Sequence, residues 1–372
     1  MKKTFKASAA IAVAALVLAA CGAAPNSASS GAQSGSSQSG TASASNVKAC
    51  MVSDEGGFDD QSFNQSGKAG MERAQKELGV QIKLAESKSD GDYQTNTDAM
   101  VQDGCTLIIG VGFKLATVLT TAAQANPDIQ FALVDSTFSD ANGKAVTVKN
   151  GRPLIFNTAE AAFLAGYVSA GMTSSGTVAT YGGMEIPTVQ IFMEGYAKGV
   201  DKYNADKGTS VKVLGWDDKT EKGSFVGDFS STPKGQTLTE QFIAQGADII
   251  MPVAGPVGSG TLAAIKAASN ASSLKAVWVD ADGFLTTGDK HILTSVVKEI
   301  GNSVYDTVKA SQDGTFDSTP YIGTLANGGV GIAPFHDFDS QVPSDLKSKV
   351  TELTDQIKAG TLDVSTKYDP SK

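Results

Sequence analysis

From residue 47 onward, short apolar runs alternate with segments whose apolar residues recur at helical spacing. The run Val47–Val52 predicts a buried strand, and Ser66–Leu78 predicts a helix. The run Gly104–Gly112 is apolar on both strand faces, which is typical of a strand covered by helices on both sides. The pattern predicts strands at 47–53, 81–85, 106–111 and 129–135, with helices at 62–78, 93–103 and 115–125. This alternation predicts a parallel, doubly wound α/β sheet.

The same rhythm begins again after a predicted strand at 154–157 and an Ala- and Gly-rich helix at 159–172. The second series has strands at 177–181, 211–215, 248–253 and 275–279, with helices at 188–204, 234–245 and 260–269. Two series of similar length suggest two lobes of one architecture. The rest of the chain is predicted as a helix at 292–310, short strands between 321 and 332, and a helix at 345–359. This fits a chain that crosses back between the lobes.

The amino terminus has a basic start, the apolar run Ala9–Ala20, and small residues up to Cys21 in the sequence Leu-Ala-Ala-Cys. This resembles a bacterial lipobox, which implies a signal peptide over residues 1–20, acylation of the Cys21 thiol and a lipid anchor on the extracytoplasmic face of the cell membrane. A retained membrane span needs about 20 apolar residues, and this run is shorter. An ordinary secreted protein is a weaker alternative, because Cys21 would then be an unpaired thiol.

Residues 22–46 contain no charge and no large hydrophobic side chain, so we expect residues 21–46 to be the lipidated cysteine and a flexible tether. A Gly- and Ser-rich chain of this length reaches on the order of 25–30 Å. The 372-residue sequence has a formal charge of −9, and the first twenty residues carry three lysines and no acid. A mature surface this acidic repels phosphate backbones, so no nucleic-acid partner is expected.

Two cysteines remain beyond the tether, Cys50 and Cys105, each near the start of a predicted strand. In an extracytoplasmic protein such a pair suggests a disulfide, which is within reach if the two strands are neighbours. Two small buried thiols are the alternative.

Polar side chains concentrate in the loop Gly56–Gln65, which follows the first predicted strand. Open α/β sheets bind ligands at the carboxyl ends of their strands, so this is a candidate binding loop; a capped βα turn is the alternative. Asp135, Asn157 and Asp280 end three further strands. Carboxylate and amide groups accept hydrogen bonds from sugar hydroxyls or base N–H groups, so four such ends facing one cleft favour a polar small-molecule site.

The sequence contains few residues that could carry out catalysis. His291 and His336 are the only histidines, and neither has metal-ligand spacing. We therefore expect no metal site, no cofactor and no enzymatic activity. The Gly255–Thr261 loop lacks the lysine of a Walker motif, although its backbone N–H groups could donate to a ligand; a tight turn is the alternative.

Taken together, the motifs resemble the basic membrane protein (PnrA-like) family of substrate-binding lipoproteins of ABC transporters. The matching segments recur in order along the chain: Gly56–Asn64, Gly110–Phe113, Val134–Asp135, Gly182–Met184, Phe192–Tyr196, Val279–Asp280 and Leu293–Lys298. The resemblance implies a type I periplasmic-binding-protein fold, in which two Rossmann-like lobes joined by crossover hinge segments close on a ligand. It also implies an ABC transporter permease as partner.

By the same resemblance the ligand is a nucleoside. Asp60 is an extra acid where the family has Lys or Asn. The acidic site as a whole makes phosphorylated ligands less favourable, so nucleosides are expected over nucleotides. Phe58, Phe63 and Phe192 could sandwich a planar ring, and a core position beneath the loop is the alternative for Phe63. The resemblance implies eight ligand contacts: Phe58 and Phe192 stacked on the base, Asp59, Asn64 and Asp135 at the base edge, and Gly255, Asp280 and Lys298 at the ribose.

The predicted lobes comprise residues 47–172 with 287–314, and residues 173–286 with 315–372. The leading hypothesis is a membrane-tethered monomer that binds a nucleoside, with purine favoured, and delivers it to a permease. A binding protein for a sugar or another small polar ligand is the alternative. A nucleoside hydrolase, which would need a positioned acid or a metal, and a sensor that presents its ligand to a signalling partner are further alternatives.

Overall fold

The computed structural model describes residues 47–370, so the predictions for the signal peptide, Cys21 and the tether lie outside the described residues. Within 47–370, no helix combines the length and the apolar character that crossing a membrane requires.

Two six-stranded sheets organise the described chain. The strands are β1 (Lys48–Val52), β2 (Gln81–Ala85), β3 (Leu107–Val111), β4 (Gln130–Val134), β5 (Gly151–Phe156), β6 (Thr177–Gly182), β7 (Lys212–Leu214), β8 (Trp216–Asp217), β9 (Lys222–Gly223), β10 (Ile249–Val253), β11 (Lys275–Asp280), β12 (Ile292–Lys298), β13 (Tyr321–Gly323) and β14 (Val330–Ile332). The first sheet has the order β13-β5-β4-β3-β1-β2 and the second β14-β12-β11-β10-β6-β7, while β8 pairs with β9. In the two large sheets only the β12–β14 pair is antiparallel. The predicted parallel α/β architecture is thereby confirmed.

The helices connect these strands in the predicted alternation. They are α1 (Phe63–Leu78), α2 (Asp90–Gln102), α3 (Ala116–Ala125), α4 (Thr158–Met172), α5 (Pro187–Lys207), α6 (Thr232–Ala244), α7 (Gly258–Ala267), α8 (Gly283–Thr287), α9 (Ile300–Gln312) and α10 (Ser344–Lys358). Because βα crossovers place helices on both faces of a parallel sheet, the central strands are buried throughout; all five residues of β3 and of β10 are buried.

The helix predicted over 292–310 is wrong in its first third. Residues Ile292–Lys298 form the strand β12, which lies between β11 and β14, and the helix α9 begins only at Ile300. The strand includes Ile292, Thr294, Val296 and Val297, and such β-branched side chains fit a pleated, buried surface better than a helix.

The sheets also distribute the carboxyl-terminal segments differently from the predicted lobes. The strand β12 belongs to the second sheet, although 287–314 was assigned to the N-terminal lobe. The strand β13 belongs to the first sheet, although 315–372 was assigned to the C-terminal lobe. The reason is that the chain passes between the sheets three times within the described residues, at 156–177, 298–321 and 323–330. The other lobe boundaries stay a prediction.

A disulfide joins the first two central strands of the first sheet. Cys50 lies in β1, Cys105 lies just before β3, and their Cα atoms are 6.0 Å apart. The two strands are neighbours, with Cys50 opposite Ile108, so the condition for the favoured pairing is met. The bridge closes a segment in which the cysteines are separated by 55 residues.

Breaking this disulfide is expected to destabilise the fold. Closing a loop of this size removes chain entropy worth about 4 kcal/mol from the unfolded state. The Cys50→Ser/Cys105→Ser variant should therefore unfold at a clearly lower temperature than the oxidised protein in calorimetry. A reductant should lower the unfolding temperature of the parent protein and leave that of the variant unchanged. Equal unfolding temperatures for the parent and the variant would contradict the expectation.

Glycines allow α4 and α5 to pack with their backbones in contact. A Cβ atom on Gly199 of α5 would lie 2.0 Å from the carbonyl oxygen of Phe163 in α4, and one on Gly166 would lie 2.0 Å from that of Tyr196. No side chain can fit at these two positions, so the glycines fix the separation of the two helices.

The Gly199→Ala substitution is expected to lower the free energy of unfolding by about 3 kcal/mol or more, because the helices must move apart in a close-packed core. Gly91→Ala in α2 is the matched control: its Cβ atom would meet only the Ser89 Oγ atom, at 3.8 Å. The control should be neutral or stabilising by up to about 1 kcal/mol, because alanine favours a helix. Urea unfolding of both variants measures the difference, and equal stabilities would refute the close-packing argument.

Candidate functional site

A cleft lies between the carboxyl ends of the strands of the two sheets. Each sheet contains the doubly wound order 2-1-3-4-5, in which ligands bind at the carboxyl edge near the point where the strand order reverses. The lining includes Asp54, Asp60, Phe63, Asn64, Phe113 and Asp135 from the first sheet's side and Thr188, Phe192, Phe229, Gly255, Asp280 and Lys298 from the second's.

Two aspartates occupy matching positions in the two lobes. Asp135 directly follows β4, and Asp280 ends β11, which is the corresponding strand of the second sheet. Both have a left-handed backbone, with φ of 61° and 69°. This conformation is uncommon for non-glycine residues, and Asp is among those that tolerate it best. The shared strand-end geometry brings two acidic side chains together at the cleft.

Lys298, the last residue of β12, lies between these two carboxylates. Its Nζ atom is 2.9 Å from Asp135 Oδ2 and 3.1 Å from Asp280 Oδ1, and the side chain is only 3% exposed. The same ammonium lies 4.9 Å from the ring centroid of Phe63 and 5.1 Å from that of Phe192. Aromatic faces attract cations at such distances. The cleft therefore has a buried cation held by two acids and two aromatic rings.

The pKa values of Asp135 and Lys298 reflect their burial and the charges beside them. Burial raises the pKa of Asp135 to about 6, although the charge of Lys298 and its hydrogen bond lower it. Burial alone would lower the pKa of Lys298, but the attraction of Asp135 and Asp280 outweighs it and leaves this pKa above its usual value. Lys298 is therefore a permanent cation in the neutral pH range.

The opening loop is held by the carboxylate of Asp60. Its Oδ1 atom accepts hydrogen bonds from the backbone N–H groups of Ser62 and Gln65, both at 3.0 Å. Its Oδ2 atom accepts from the backbone N–H of Asn64 at 2.8 Å and from Asn64 Nδ2 at 3.0 Å. Asp60 is thus a buried anchor for the amino terminus of α1, and its oxygens are fully used within the loop.

Asp54 and Asn64 complete this wall of the cleft. Asp54 Oδ1 accepts from Asn64 Nδ2 at 2.7 Å and from the Gly56 N–H at 3.0 Å, while the Asp54 N–H donates to Asn64 Oδ1 at 3.2 Å. Burial raises the pKa of Asp54 to about 6, against the lowering effect of these hydrogen bonds. We call these three residues, Asp54, Asp60 and Asn64, the acidic wall.

Six of the eight residues expected to contact the ligand line the cleft. They are Asn64, Asp135, Phe192, Gly255, Asp280 and Lys298.

Phe58 and Asp59 do not line the cleft. Phe58 is buried in the core, at 4% exposure, and the Asp59 side chain is 92% exposed and pairs with Lys68. The reason is the path of the loop. Gly57 has a φ of 69°, and its N–H donates to the carbonyl of Asp54, so the chain turns back directly after the strand and directs Phe58 into the core. A second left-handed residue, Gln61, turns the chain again.

That second turn places Phe63 at the cleft, which agrees with the ring-stacking option and not with the core position that the sequence left open for it. Asp54 was not predicted as a site residue. Like Asp135, it is an acid directly after a buried strand run, and this pattern could have identified it. Phe113 lies in the Gly110–Phe113 motif, but no ligand contact was predicted for it. Thr188 and Phe229 have no sequence signal that separates them from ordinary surface or core residues.

Comparisons with known proteins show the family of this chain. Residues 47–365 match the sequence profile of the family described as ABC transporter substrate-binding protein PnrA-like. The chain belongs to this family. The nucleoside-binding protein BmpA of an ABC transporter of Lactococcus lactis is 30% identical over 87% of this chain and 90% of that protein. An uncharacterised lipoprotein of Pyrococcus abyssi is 31% identical over 77% of this chain and 69% of its own length.

A solved structure shows the same fold. The crystal structure of a solute-binding protein of an ABC transporter system from Aeropyrum pernix covers 87% of this chain and 95% of its own, with a TM-score of 0.76 and 24% identity. The expected type I periplasmic-binding-protein fold is confirmed. This PnrA-like protein is therefore a substrate-binding component of an ABC importer, which binds a ligand and interacts with a permease, and it is not an enzyme.

Proposed function

We propose that this PnrA-like protein binds a nucleoside, with purine favoured, between its two lobes and delivers it to the permease. The observation that carries the proposal is the Lys298 cluster: two aromatic rings and two carboxylates surround one ammonium in a single cleft. A nucleoside joins a flat apolar base to a polar diol, which are the two chemistries that this cluster offers.

The aromatic side chains suit the base. Phe63 and Phe192 come from opposite lobes and both line the cleft, so a planar ring between them would contact the two lobes at once. Phe63 takes the role that the family resemblance had given to Phe58. Phe113 and Phe229 add further apolar surface to the same space.

The charged side chains suit the ribose. Asp280 faces the cleft with its Oδ1 atom beside Lys298 and its Oδ2 atom 3.2 Å from Ser62 Oγ, which leaves acceptor capacity on both oxygens. A carboxylate accepts hydrogen bonds from two adjacent hydroxyls, and Lys298 can donate to a ribose oxygen. The surplus of carboxylates over this one cation opposes the entry of a phosphate, so nucleosides are favoured over nucleotides.

We also propose that the protein is a lipoprotein, anchored through Cys21 to the extracytoplasmic face of the cell membrane. The lipobox-like sequence before Cys21 supports this, and the relative from Pyrococcus abyssi is named a lipoprotein. In cells fed a labelled fatty acid, the parent protein should acquire label and the Cys21→Ala variant should not. Label on the variant would reject Cys21 as the attachment site.

Calorimetric titration tests the ligand proposal. The ligand set comprises purine and pyrimidine nucleosides, free bases, ribose and nucleoside monophosphates, and the ligand is recovered afterwards and analysed by chromatography. We expect purine nucleosides to bind most tightly and to be recovered intact; at 100 times the dissociation constant a ligand stabilises the fold by about 2.7 kcal/mol. Binding of ribose or other sugars without nucleosides would support the alternative ligand class, and recovery of free base would indicate a hydrolase.

A further inference from the structure

The acidic wall offers hydrogen-bond acceptors to the cleft but no side-chain donor. Asn64 Nδ2 uses its two N–H bonds on Asp54 Oδ1 and Asp60 Oδ2, at 2.7 Å and 3.0 Å. The four hydrogen bonds to Asp60 occupy both of its oxygens. Among the described residues, none donates a hydrogen bond to Asp54 Oδ2. This oxygen lies beside Gly112, where an added Cβ atom would be 3.0 Å away, and both residues line the cleft.

The orientation of the Asn64 amide is fixed by its neighbours. Exchanging its oxygen and nitrogen would place the amide oxygen against two carboxylate oxygens and the amide nitrogen against the Asp54 N–H. Such an arrangement has three repulsive contacts in place of three hydrogen bonds, so the network decides the assignment. The absence of a free donor from these three side chains therefore follows from the network itself.

A base that meets this wall must bring its own donors. Adenine can present its amino group, but the adjacent ring N1 is an acceptor, and the acidic wall leaves it without a side-chain donor. Hypoxanthine has a ring N1–H, but it has no amino group at position 2. Guanine has a ring N1–H and a 2-amino group side by side, with no acceptor between them. A carboxylate oxygen with open lone pairs is complementary to that edge.

We propose that the acidic wall selects a guanine base, with Asp54 Oδ2 accepting hydrogen bonds from the ring N1–H and the 2-amino group. This specificity rests on the proposed nucleoside-binding function and deepens it. Buried polar groups discriminate strongly because the wrong ligand leaves them unpaired, and a hydrogen bond to a charged group is among the stronger kinds. The role of Asp54 is specificity, whereas Asp280 and Lys298 hold the ribose common to all nucleosides.

The test compares guanosine, inosine and adenosine by calorimetric titration at pH 8, where Asp54 is ionised. Guanosine should bind at least ~10-fold more tightly than adenosine, with inosine between them, because successive donors are lost across the series. In Asp54→Asn, whose amide can donate as well as accept, the guanosine-to-adenosine ratio should fall to within about 3-fold. Circular dichroism and thermal unfolding establish whether this variant is folded.

If the variant does not fold, the titrations of the parent protein alone still test the proposal. Adenosine binding as tightly as guanosine would overturn the guanine assignment while leaving the nucleoside function in place. A folded Asp54→Asn variant that keeps the full guanosine preference would overturn the role of Asp54. Failure of all three nucleosides to bind would instead reject the proposed function itself.

Discussion

Lys298→Met is expected to abolish nucleoside binding and to lower the free energy of unfolding by about 3–5 kcal/mol at pH 8, because removing one partner leaves buried charges uncompensated. The parent side chain is 3% exposed and lies 2.9 Å from Asp135 and 3.1 Å from Asp280. Methionine keeps the apolar contacts with the surrounding rings and removes only the charge and the donors. Calorimetric titration and urea unfolding measure the two effects.

The stability loss should depend on pH in a specific direction. The positive charge of Lys298 lowers the pKa of Asp135, which burial has raised to about 6. Without that charge the pKa of Asp135 in the folded variant rises further above the unfolded value of about 3.9. The folded state then binds more protons than the unfolded state in this window, so the variant loses stability as the pH rises through the raised pKa. The difference from the parent should therefore be smaller at pH 5 than at pH 8.

Two matched variants separate charge from packing. Adding Asp135→Asn to Lys298→Met should restore part of the stability and none of the binding, because one uncompensated charge is removed and the ribose donor remains absent. Lys309→Met removes a surface lysine that is 48% exposed and paired with Asp313, and should change stability by less than about 0.5 kcal/mol. If Lys298→Met were no more destabilising than Lys309→Met, the argument that Lys298 compensates the buried charges of Asp135 and Asp280 would be refuted.

Asp280→Asn is expected to weaken nucleoside binding at least ~100-fold while leaving the protein folded, because the charged acceptor for the ribose hydroxyls is lost. Asparagine suits this position because it also tolerates the left-handed backbone, here with a φ of 69°. The affinity ratio between a ribonucleoside and its 2′-deoxy form should be large in the parent and near one in the variant. Titration with both ligands measures this ratio.

Asp282→Asn is the control for this prediction. Asp282 caps α8 and pairs with His336, outside the residues that line the cleft, so nucleoside affinity should be unchanged in the variant. A 2′-deoxy penalty that persists in Asp280→Asn would place the ribose elsewhere in the cleft.

The sequence predicted the scaffold better than the loop that opens the site. Acids directly after buried strands mark the carboxyl edge of a sheet, and Asp135 and Asp280 follow that pattern. Their left-handed backbones are not visible in the sequence, since Asp adopts several turn conformations. The sequence predicted a helix at Lys298, but this residue ends the strand β12. The prediction was wrong because local apolar spacing does not reveal that β14 pairs with β12.

A similar reason explains why Phe63, and not Phe58, lines the cleft. Phe58 lies in the loop and Phe63 is the first residue of α1, and two left-handed residues, Gly57 and Gln61, decide which ring faces the cleft. Apolar periodicity carries no information inside such a turn. The role of Asp60 was also hidden, because its four hydrogen bonds depend on the folded path of the loop.

The most direct test of the central claim is the electron density in the cleft of crystals grown with guanosine. We expect a base between Phe63 and Phe192, with its edge at Asp54 and its ribose hydroxyls within hydrogen-bond distance of Asp280. A nucleoside bound at any other place, or a cleft without nucleoside density at saturating guanosine, would contradict it.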